Sequence, residues 1–116
     1  MKTEFEGRTK KFAVQVVKAI GVFPRTVDGQ VIGRQLLKAG TSIGANYREA
    51  NRAESRVDFA HKVGIAEKEA AETIYWLEIC QDCRLGNKET VDALHKEAGE
   101  LLAILITIAR KAKNSK

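Results

Sequence analysis

The sequence predicts an all-α fold, an antiparallel up-down-up-down four-helix bundle that assembles into an oligomer. Apolar residues recur at steps of three and four along most of the chain, which is the period of one helix face. Alternating β-branched runs and Asn-Gly turns, which would indicate strands, are absent from the sequence. Short links between long amphipathic helices favour antiparallel neighbours in a bundle.

Capping and helix-breaking residues set the expected helix boundaries. Pro24 ends the first helix, because its ring clashes with the preceding turn and it has no N–H group. Asp28, Ser55 and Asn87 are the expected N-caps of the next three helices, and Gly86 is the expected C-cap of the third. The predicted helices cover residues 8–21, 28–51, 55–85 and 88–112.

Length and composition favour a single globular domain over residues 1–116. A chain of 116 residues, 44% apolar and 30% charged, buries a core without disulfides or metals. The charged N-terminus lacks the apolar segment of a signal peptide, and no apolar run is long enough to span a bilayer. We therefore expect a cytoplasmic protein without a membrane partner.

The fourth helix carries more apolar surface than one core contact needs. Residues 101–106 are apolar on every side of the helix, and Trp76 and Ile79 flank the apolar seam of the third helix. A helix that is apolar all round needs partners on more than one side. Either a wide core contact or an oligomer interface explains this pattern.

Glycines inside the predicted helices indicate close helix packing. Glycine lowers the stability of a helix interior by about 1 kcal/mol relative to alanine. We therefore expect such glycines where a neighbouring helix approaches closely. The glycines expected to serve this purpose are Gly33, Gly40, Gly44, Gly64 and Gly99.

The second helix is apolar on one face and cationic on the other. On a wheel of about 100° per residue, its cations fall within about 40° of Arg34, and Glu49 at the edge is the one acid beside them. A solvated face explains such a stripe, but a nearly single-signed one also suits phosphate contact. The candidate nucleic-acid-binding residues are Arg34, Lys38, Arg48 and Arg52, extended by Arg56 if the helix continues.

The C-terminal tail is also basic, with Arg110, Lys111, Lys113 and Lys116. These residues add to a cationic surface, although cations at a helix C-terminus also complement the helix dipole.

No catalytic or cofactor site is expected. Cys80 and Cys83 form a C-x-x-C pattern near a helix C-terminus, where the dipole does not lower a thiol pKa. The two histidines, His61 and His95, fit no zinc spacing, and the glutamates of the third helix lack Glu-x-x-His pairs. We therefore predict a protein that is not an enzyme and has no metal or cofactor.

Residues 42–50 resemble a family signature, S-I-x-x-N-x-x-E followed by glycine or alanine. The signature is typical of the bacterial four helix bundle protein family, also called intervening-sequence proteins because some members are encoded in insertions within large-subunit rRNA genes. The motif positions are Ser42, Asn46 and Glu49, and Ala50 stands where many members have glycine. Further agreement lies in segments 58–59, 65–78 and 97–105.

The resemblance implies an antiparallel four-helix bundle that assembles as a homopentamer. It also implies similarity to the accessory protein of diversity-generating retroelements, a basic pentamer that binds nucleic acid and a reverse transcriptase. Asn46 and Glu49 would serve either a ligand or a hydrogen-bond network that packs the helix.

Two functional hypotheses follow from the residues and the resemblance together. The first is a non-enzymatic homo-oligomer, a pentamer, that binds structured RNA or DNA through the second helix. The second is an interaction scaffold whose basic stripe pairs with an acidic protein partner or with acidic residues of the neighbouring subunit. The expected partners are further copies of the chain, structured RNA or DNA, and a reverse-transcriptase-like or other protein.

Overall fold

The computed structural model describes residues 2–114, which form four helices. The helices are α1 (Lys2–Ile20), α2 (Val27–Asn51), α3 (Arg56–Cys83) and α4 (Lys88–Asn114). No strand occurs within these residues, so the predicted all-α class is confirmed. None of the four helices is long and apolar enough to cross a membrane.

Helix α1 begins at Lys2, whereas the sequence predicted a start near Arg8. The reason is Phe5, an apolar position within the charged N-terminal segment. The Phe5 ring is buried edge-on against Tyr47 of α2, with the ring centroids 4.8 Å apart. One turn further along α1, the buried Thr9 hydroxyl donates a hydrogen bond to the Phe5 carbonyl at 3.0 Å.

The N-cap of α2 is Thr26 instead of the predicted Asp28. The Thr26 hydroxyl accepts a hydrogen bond from the Gly29 N–H at 3.3 Å. Asp28 lies in the first turn, where hydrogen bonds from the Thr26 side chain and the Gly29 backbone lower the pKa of its carboxylate. The acid therefore sits at the positive end of the helix dipole without being the cap.

The end of α3 also differs from the prediction. Arg84 is the C-cap in a left-handed conformation (φ 56°), and Gly86 follows with φ 76°. Ser55 and Asn87 cap α3 and α4 as predicted, since their side chains accept hydrogen bonds from the Asp58 and Thr90 amides.

Contacts between neighbouring helices fix their register. Phe5 near the start of α1 meets Tyr47 near the end of α2. Lys62 near the start of α3 lies 4.0 Å from Glu49 near the end of α2. Gln81 near the end of α3 donates a hydrogen bond to Asp92 in α4 at 3.0 Å. The resulting body measures 49 × 20 × 20 Å, and α1 and α4 pack less closely than the other neighbouring pairs.

Gly40 and Gly44 permit close packing of α1 on α2, as predicted, and Gly33 permits close approach of Phe23 in the link between the two helices. A Cβ added to Gly44 would lie 2.8 Å from the Thr9 hydroxyl oxygen, and one added to Gly40 would lie 3.1 Å from a Val16 methyl group. A Cβ added to Gly33 would lie 3.3 Å from the Phe23 ring. The same prediction is wrong for Gly64 and Gly99, which have nothing within 4 Å of that position.

Replacing Gly64 by alanine is expected to raise the free energy of unfolding by about 1 kcal/mol, because alanine restricts the unfolded chain and meets no obstacle in the folded one. Equilibrium urea denaturation measures the change. Gly44→Ala is the matched comparison in α2 and should be less stable than Gly64→Ala, since Thr9 has to move. A Gly64→Ala protein less stable than the parent would show that α3 is closely packed at this point.

Candidate nucleic-acid interface

Helix α2 separates an apolar face from a cationic one, as its sequence predicts. Leu36, Ile43 and Tyr47 are buried against the rest of the bundle. The opposite face carries the α2 stripe, a set of exposed cations that consists of Arg34, Lys38, Arg48 and Arg52. The ends of the stripe are eighteen positions apart in the sequence, which at 1.5 Å per residue is about 27 Å.

The α2 stripe has a gap at its centre. Thr41 and Ala45 lie between Lys38 and Arg48, and the Thr41 hydroxyl donates a hydrogen bond to the Leu37 carbonyl at 2.8 Å. The stripe therefore presents one pair of cations near the start of α2 and a second pair at its end.

Arg56 does not extend the α2 stripe along one continuous helix. Helix α2 ends at Asn51, and the chain turns before Ser55 caps α3, so that Arg56 is the first residue of α3. Its side chain is exposed at the same end of the bundle as Arg52. Arg56 remains a candidate cation there, but its position follows from the turn and not from the wheel of α2.

Most of these cations have no acidic partner within residues 2–114. Arg34, Lys38, Arg52 and Arg56 form no ion pair in this part of the chain, and the Nε atom of Arg48 lies 4.0 Å from a Glu6 carboxylate oxygen. An exposed pair at that distance contributes little to stability. Close ion pairs within the folded chain therefore do not neutralise the charges of the stripe.

Arg8 of α1 shows the opposite arrangement. Its guanidinium donates two hydrogen bonds of 2.7 Å to the Glu97 carboxylate and one of 2.7 Å to Glu100. The hydrogen bonds that Arg8 donates to Glu97 and Glu100 raise the Arg8 pKa further above its ordinary value. Such a bidentate pair is a structural clamp between α1 and α4. The contrast sets the stripe arginines apart from an arginine that serves the fold.

Lys38 is a second stripe cation with an acid in its neighbourhood. Burial and repulsion from Glu72 raise the pKa of Glu69, and attraction to Lys38 partly offsets this rise. No ion pair forms between Lys38 and Glu69, so the lysine ammonium stays exposed.

The positive charge of the chain is concentrated in one half of the bundle, which we call the basic half. It consists of residues 2–11, 40–69 and 102–114, the parts of the four helices on one side of their midpoints. Within these ranges there are twelve basic and seven acidic residues, against seven basic and eight acidic residues in the other described ranges. Arg48, Arg52 and Arg56 lie in the basic half, whereas Arg34 and Lys38 do not.

Sequence reasoning missed part of this cationic end. The late predicted start of α1 left Lys2 outside any helix, whereas the structure places Lys2 near Lys111 of α4 on the rim of one groove. Of the basic tail, Arg110, Lys111 and Lys113 lie in α4, and Lys116 lies outside the described residues. An apolar residue three positions after Lys2, namely Phe5, was the signal for the earlier start.

Two of the three family-motif residues, Ser42 and Asn46, hydrogen-bond to the backbone of α2. The Ser42 hydroxyl donates to the Lys38 carbonyl at 2.6 Å, and the Asn46 side-chain amide donates to the Ser42 carbonyl at 2.8 Å. Glu49 is exposed and lies 4.0 Å from the Lys62 ammonium. Asn46 therefore bonds to the backbone of its own helix and not to Glu49.

The C-x-x-C pattern does not assemble a reactive pair. Cys80 is buried, and burial raises the pKa of its thiol to about 11, while Cys83 is exposed. Within residues 2–114, no group of three or more histidines, cysteines, aspartates or glutamates is placed to hold a metal ion. Cys80 contributes to the core of the bundle.

Two comparisons with known proteins found matches that cover nearly the whole chain. The model of the 23S rRNA-intervening sequence protein family matches residues 2–107. A crystal structure of a protein with unknown function from the S23 ribosomal protein family of Bacteroides thetaiotaomicron is also similar, with a TM-score of 0.84. That protein is 36% identical, and the match covers 95% of this chain and 99% of the other. Among curated proteins, none matches the sequence. The resemblance indicated by residues 42–50 is thus confirmed, and the chain belongs to the 23S rRNA-intervening sequence protein family.

Proposed function

We propose that this protein is a non-enzymatic homo-oligomer, a pentamer of up-down-up-down four-helix bundles, that binds structured RNA or DNA in the cytoplasm. The α2 stripe and Arg56 are its binding surface. The register of Phe5 with Tyr47 and of Gln81 with Asp92 supports the up-down order of the helices. The pentamer follows from the family resemblance.

The observation that carries this proposal is that Arg34, Lys38 and Arg52 form no ion pair among the described residues. An arginine that serves only folding is expected to find a carboxylate, as Arg8 does. Arg34 and Arg52 are exposed, with no ion pair among the described residues. Together with the excess of basic residues in one half of the bundle, this leaves cations available for an external polyanion.

Phosphate neutralisation provides the mechanism. Duplex DNA carries one negative charge per about 1.7 Å of helix axis, so a stripe of about 27 Å faces many phosphates at once. Each lysine or arginine that contacts a phosphate releases condensed counterions, so affinity falls with salt. Several copies of the stripe in one oligomer bind the same nucleic acid more tightly, because the second contact is intramolecular. Contacts of this kind fix position and not base sequence.

The test is binding of a labelled structured RNA and a labelled DNA duplex across a salt series, with the parent protein and Arg48→Glu/Arg52→Glu. We expect at least a tenfold loss of affinity in the variant, because each subunit exchanges two phosphate-attracting charges for two repelling ones. We also expect a shallower dependence of log affinity on log salt, as fewer counterions are released. Fluorescence anisotropy measures both quantities.

The matched control is Lys18→Glu/Lys96→Glu, which changes the net charge by the same amount at exposed positions of α1 and α4. Equal losses in the two variants would show that net charge and not the α2 stripe determines binding. Absence of binding to either nucleic acid at low salt would refute the proposed function, provided that the parent protein is folded and oligomeric.

The second candidate is the scaffold, in which the α2 stripe binds acidic residues of a protein partner or of a neighbouring subunit. Exposed acids on α3, such as Glu72 and Glu78, are available for such pairing. The oligomeric state of the Arg48→Glu/Arg52→Glu variant in solution distinguishes the two candidate functions. A variant that loses its oligomeric state along with its binding supports the scaffold, whereas one that stays oligomeric and loses only nucleic-acid binding supports the first proposal.

A further inference from the structure

A groove of about 890 Å³ opens between α1 and α4 in the basic half of the bundle. We call it the α1–α4 groove. Phe5 and Tyr47 form part of its floor, and Phe59, Ile104 and Ile108 line it from α3 and α4. The groove exists because α1 and α4 pack less closely than the other neighbouring helices.

Folding of one chain leaves the apolar residues of this groove only partly covered. Phe59, Ile104 and Ile108 pack against the core but stay half-buried. Ile104 belongs to residues 101–106 of α4, which are apolar on every side, and such a helix needs a second neighbour. An apolar surface that remains open after folding, bordered by charged residues, is characteristic of an interaction site.

The rim of the groove carries two cations that have no acidic partner among the described residues. Lys2 and Lys111 are exposed on it and form no ion pair within the described residues, while the Arg8 guanidinium is held by Glu97 and Glu100. Glu4 is the one acid of the rim. The occupant should therefore combine an apolar or aromatic centre with acidic residues around it.

The second half of α3 has this chemistry. From residue 69 to residue 83 it contains no lysine or arginine, and its outer side carries the exposed Glu72, Tyr75, Glu78 and Asp82, which we call the α3 ridge. The Tyr75 side chain is 54% exposed at the centre of the ridge. Its ring packs edge-on against Trp76 with the centroids 5.0 Å apart, which restrains it. A restrained, exposed tyrosine is a common anchor of protein interfaces.

We infer that the α3 ridge of one copy of this chain binds in the α1–α4 groove of the next copy. A two-fold contact of groove against groove would bring the cations of both rims together, and like charges in an interface are unfavourable. A head-to-tail contact joins the acidic ridge to the cationic rim, and repetition of such a contact closes into a ring when the rotation fits.

This inference rests on the proposed homo-oligomer and specifies how its subunits meet. The α2 stripe belongs to neither surface, since the ridge is on α3 and Lys2 and Lys111 of the rim are on α1 and α4. None of the stripe residues lines the groove or belongs to the ridge, so charge reversal on these two surfaces leaves the stripe itself unchanged.

Charge reversal tests the contact in four proteins: the parent, a groove variant (Lys2→Glu/Lys111→Glu), a ridge variant (Glu72→Lys/Glu78→Lys) and a chain with all four changes. Size-exclusion chromatography with light scattering gives the molar mass of each over a range of concentrations. We expect each two-residue variant to need at least tenfold higher concentration to assemble. The four-residue variant should recover assembly, because its groove is acidic and its ridge basic.

Two further proteins separate interface effects from folding defects. Lys96→Glu reverses an exposed charge on α4 outside the groove and should assemble like the parent. Tyr75→Ala should weaken assembly without a charge change, and circular dichroism should show that its helices are intact. Glu72 accepts a hydrogen bond from Trp76, and Glu78 contacts His95, so the thermal unfolding midpoint of the ridge variant is compared with that of Tyr75→Ala.

The outcomes distinguish this inference from the proposed function. A monomeric parent protein would overturn both the oligomer and the inferred contact. An oligomeric parent with unchanged assembly in the groove and ridge variants would overturn the contact and leave the proposed function standing. Weakened assembly in both variants without recovery in the four-residue chain would also overturn the contact. Loss of assembly only in Arg48→Glu/Arg52→Glu would place the interface on the α2 stripe instead.

Discussion

Replacing Phe12 by alanine is expected to lower the free energy of unfolding by about 3–5 kcal/mol. The Phe12 side chain is 1% exposed, on the face of α1 that also buries Phe5 and Val16. Removing the ring forfeits its transfer free energy and leaves a cavity that the neighbouring helices fill only in part. A domain of this kind is stable by about 5–15 kcal/mol, so the change removes a large part of the total.

Equilibrium urea denaturation followed by circular dichroism measures this loss. Phe12→Leu keeps most of the volume and should lose much less stability than Phe12→Ala. Val14→Ala is the surface control on the same helix, because Val14 is 43% exposed, and it should change stability by less than about 0.5 kcal/mol. A loss below about 1 kcal/mol for Phe12→Ala would contradict the placement of α1 in the core.

The fold could be predicted where local chemistry decides it. Ser55 and Asn87 begin their helices through hydrogen bonds to amides three residues ahead, which a sequence reveals directly. The start of α1 could not be predicted from local pattern alone, because Phe5 is a single apolar residue among charges and its burial depends on Tyr47 of another helix. Thr26 and Asp28 are both residue types that favour the N-cap position, and only the backbone geometry shows that Thr26 is the N-cap.

The predicted close contacts of the glycines are found at some positions and not at others for the same reason. Gly40 and Gly64 look alike in sequence, each within a long helix beside apolar residues. Gly40 meets Val16 of α1, but Gly64 faces open space. Helical periodicity shows on which face of its helix a glycine lies. Which residue packs opposite that face depends on the tertiary structure.

The candidate site was predictable as a surface but not as an electrostatic environment. The wheel of α2 places Arg34 and Arg52 on one face, and both residues are exposed in the structure. Whether each cation has an acidic partner depends on residues that are distant in sequence. Glu6 of α1 lies near Arg48, and no described acid pairs with Arg52. The concentration of positive charge in one half emerges only when the start of α1 and the end of α4 come together.

Replacing Gly29 by alanine is expected to cost about 3 kcal/mol of stability, although alanine is the better helix former. A Cβ at this buried first-turn position would overlap the carbonyl oxygen of Pro24, and a backbone group cannot rotate away as a flexible side chain can. Any shift that relieves the overlap also lengthens the 3.3 Å hydrogen bond from the Gly29 N–H to Thr26, and loss of such a cap costs about 1 kcal/mol.

Gly7→Ala is the matched control for this prediction, because a Cβ added to Gly7 in α1 has nothing within 4 Å. It should gain up to about 1 kcal/mol in the same denaturation experiment. Gly29 lies in the first turn of the helix that carries the α2 stripe, so a displaced first turn moves Arg34 relative to Arg48 and Arg52. We therefore expect Gly29→Ala to weaken nucleic-acid binding at a temperature where it is still folded, and Gly7→Ala to bind like the parent. Unchanged stability and binding in Gly29→Ala would show that the Pro24 turn yields, and that the start of α2 is not fixed by this contact.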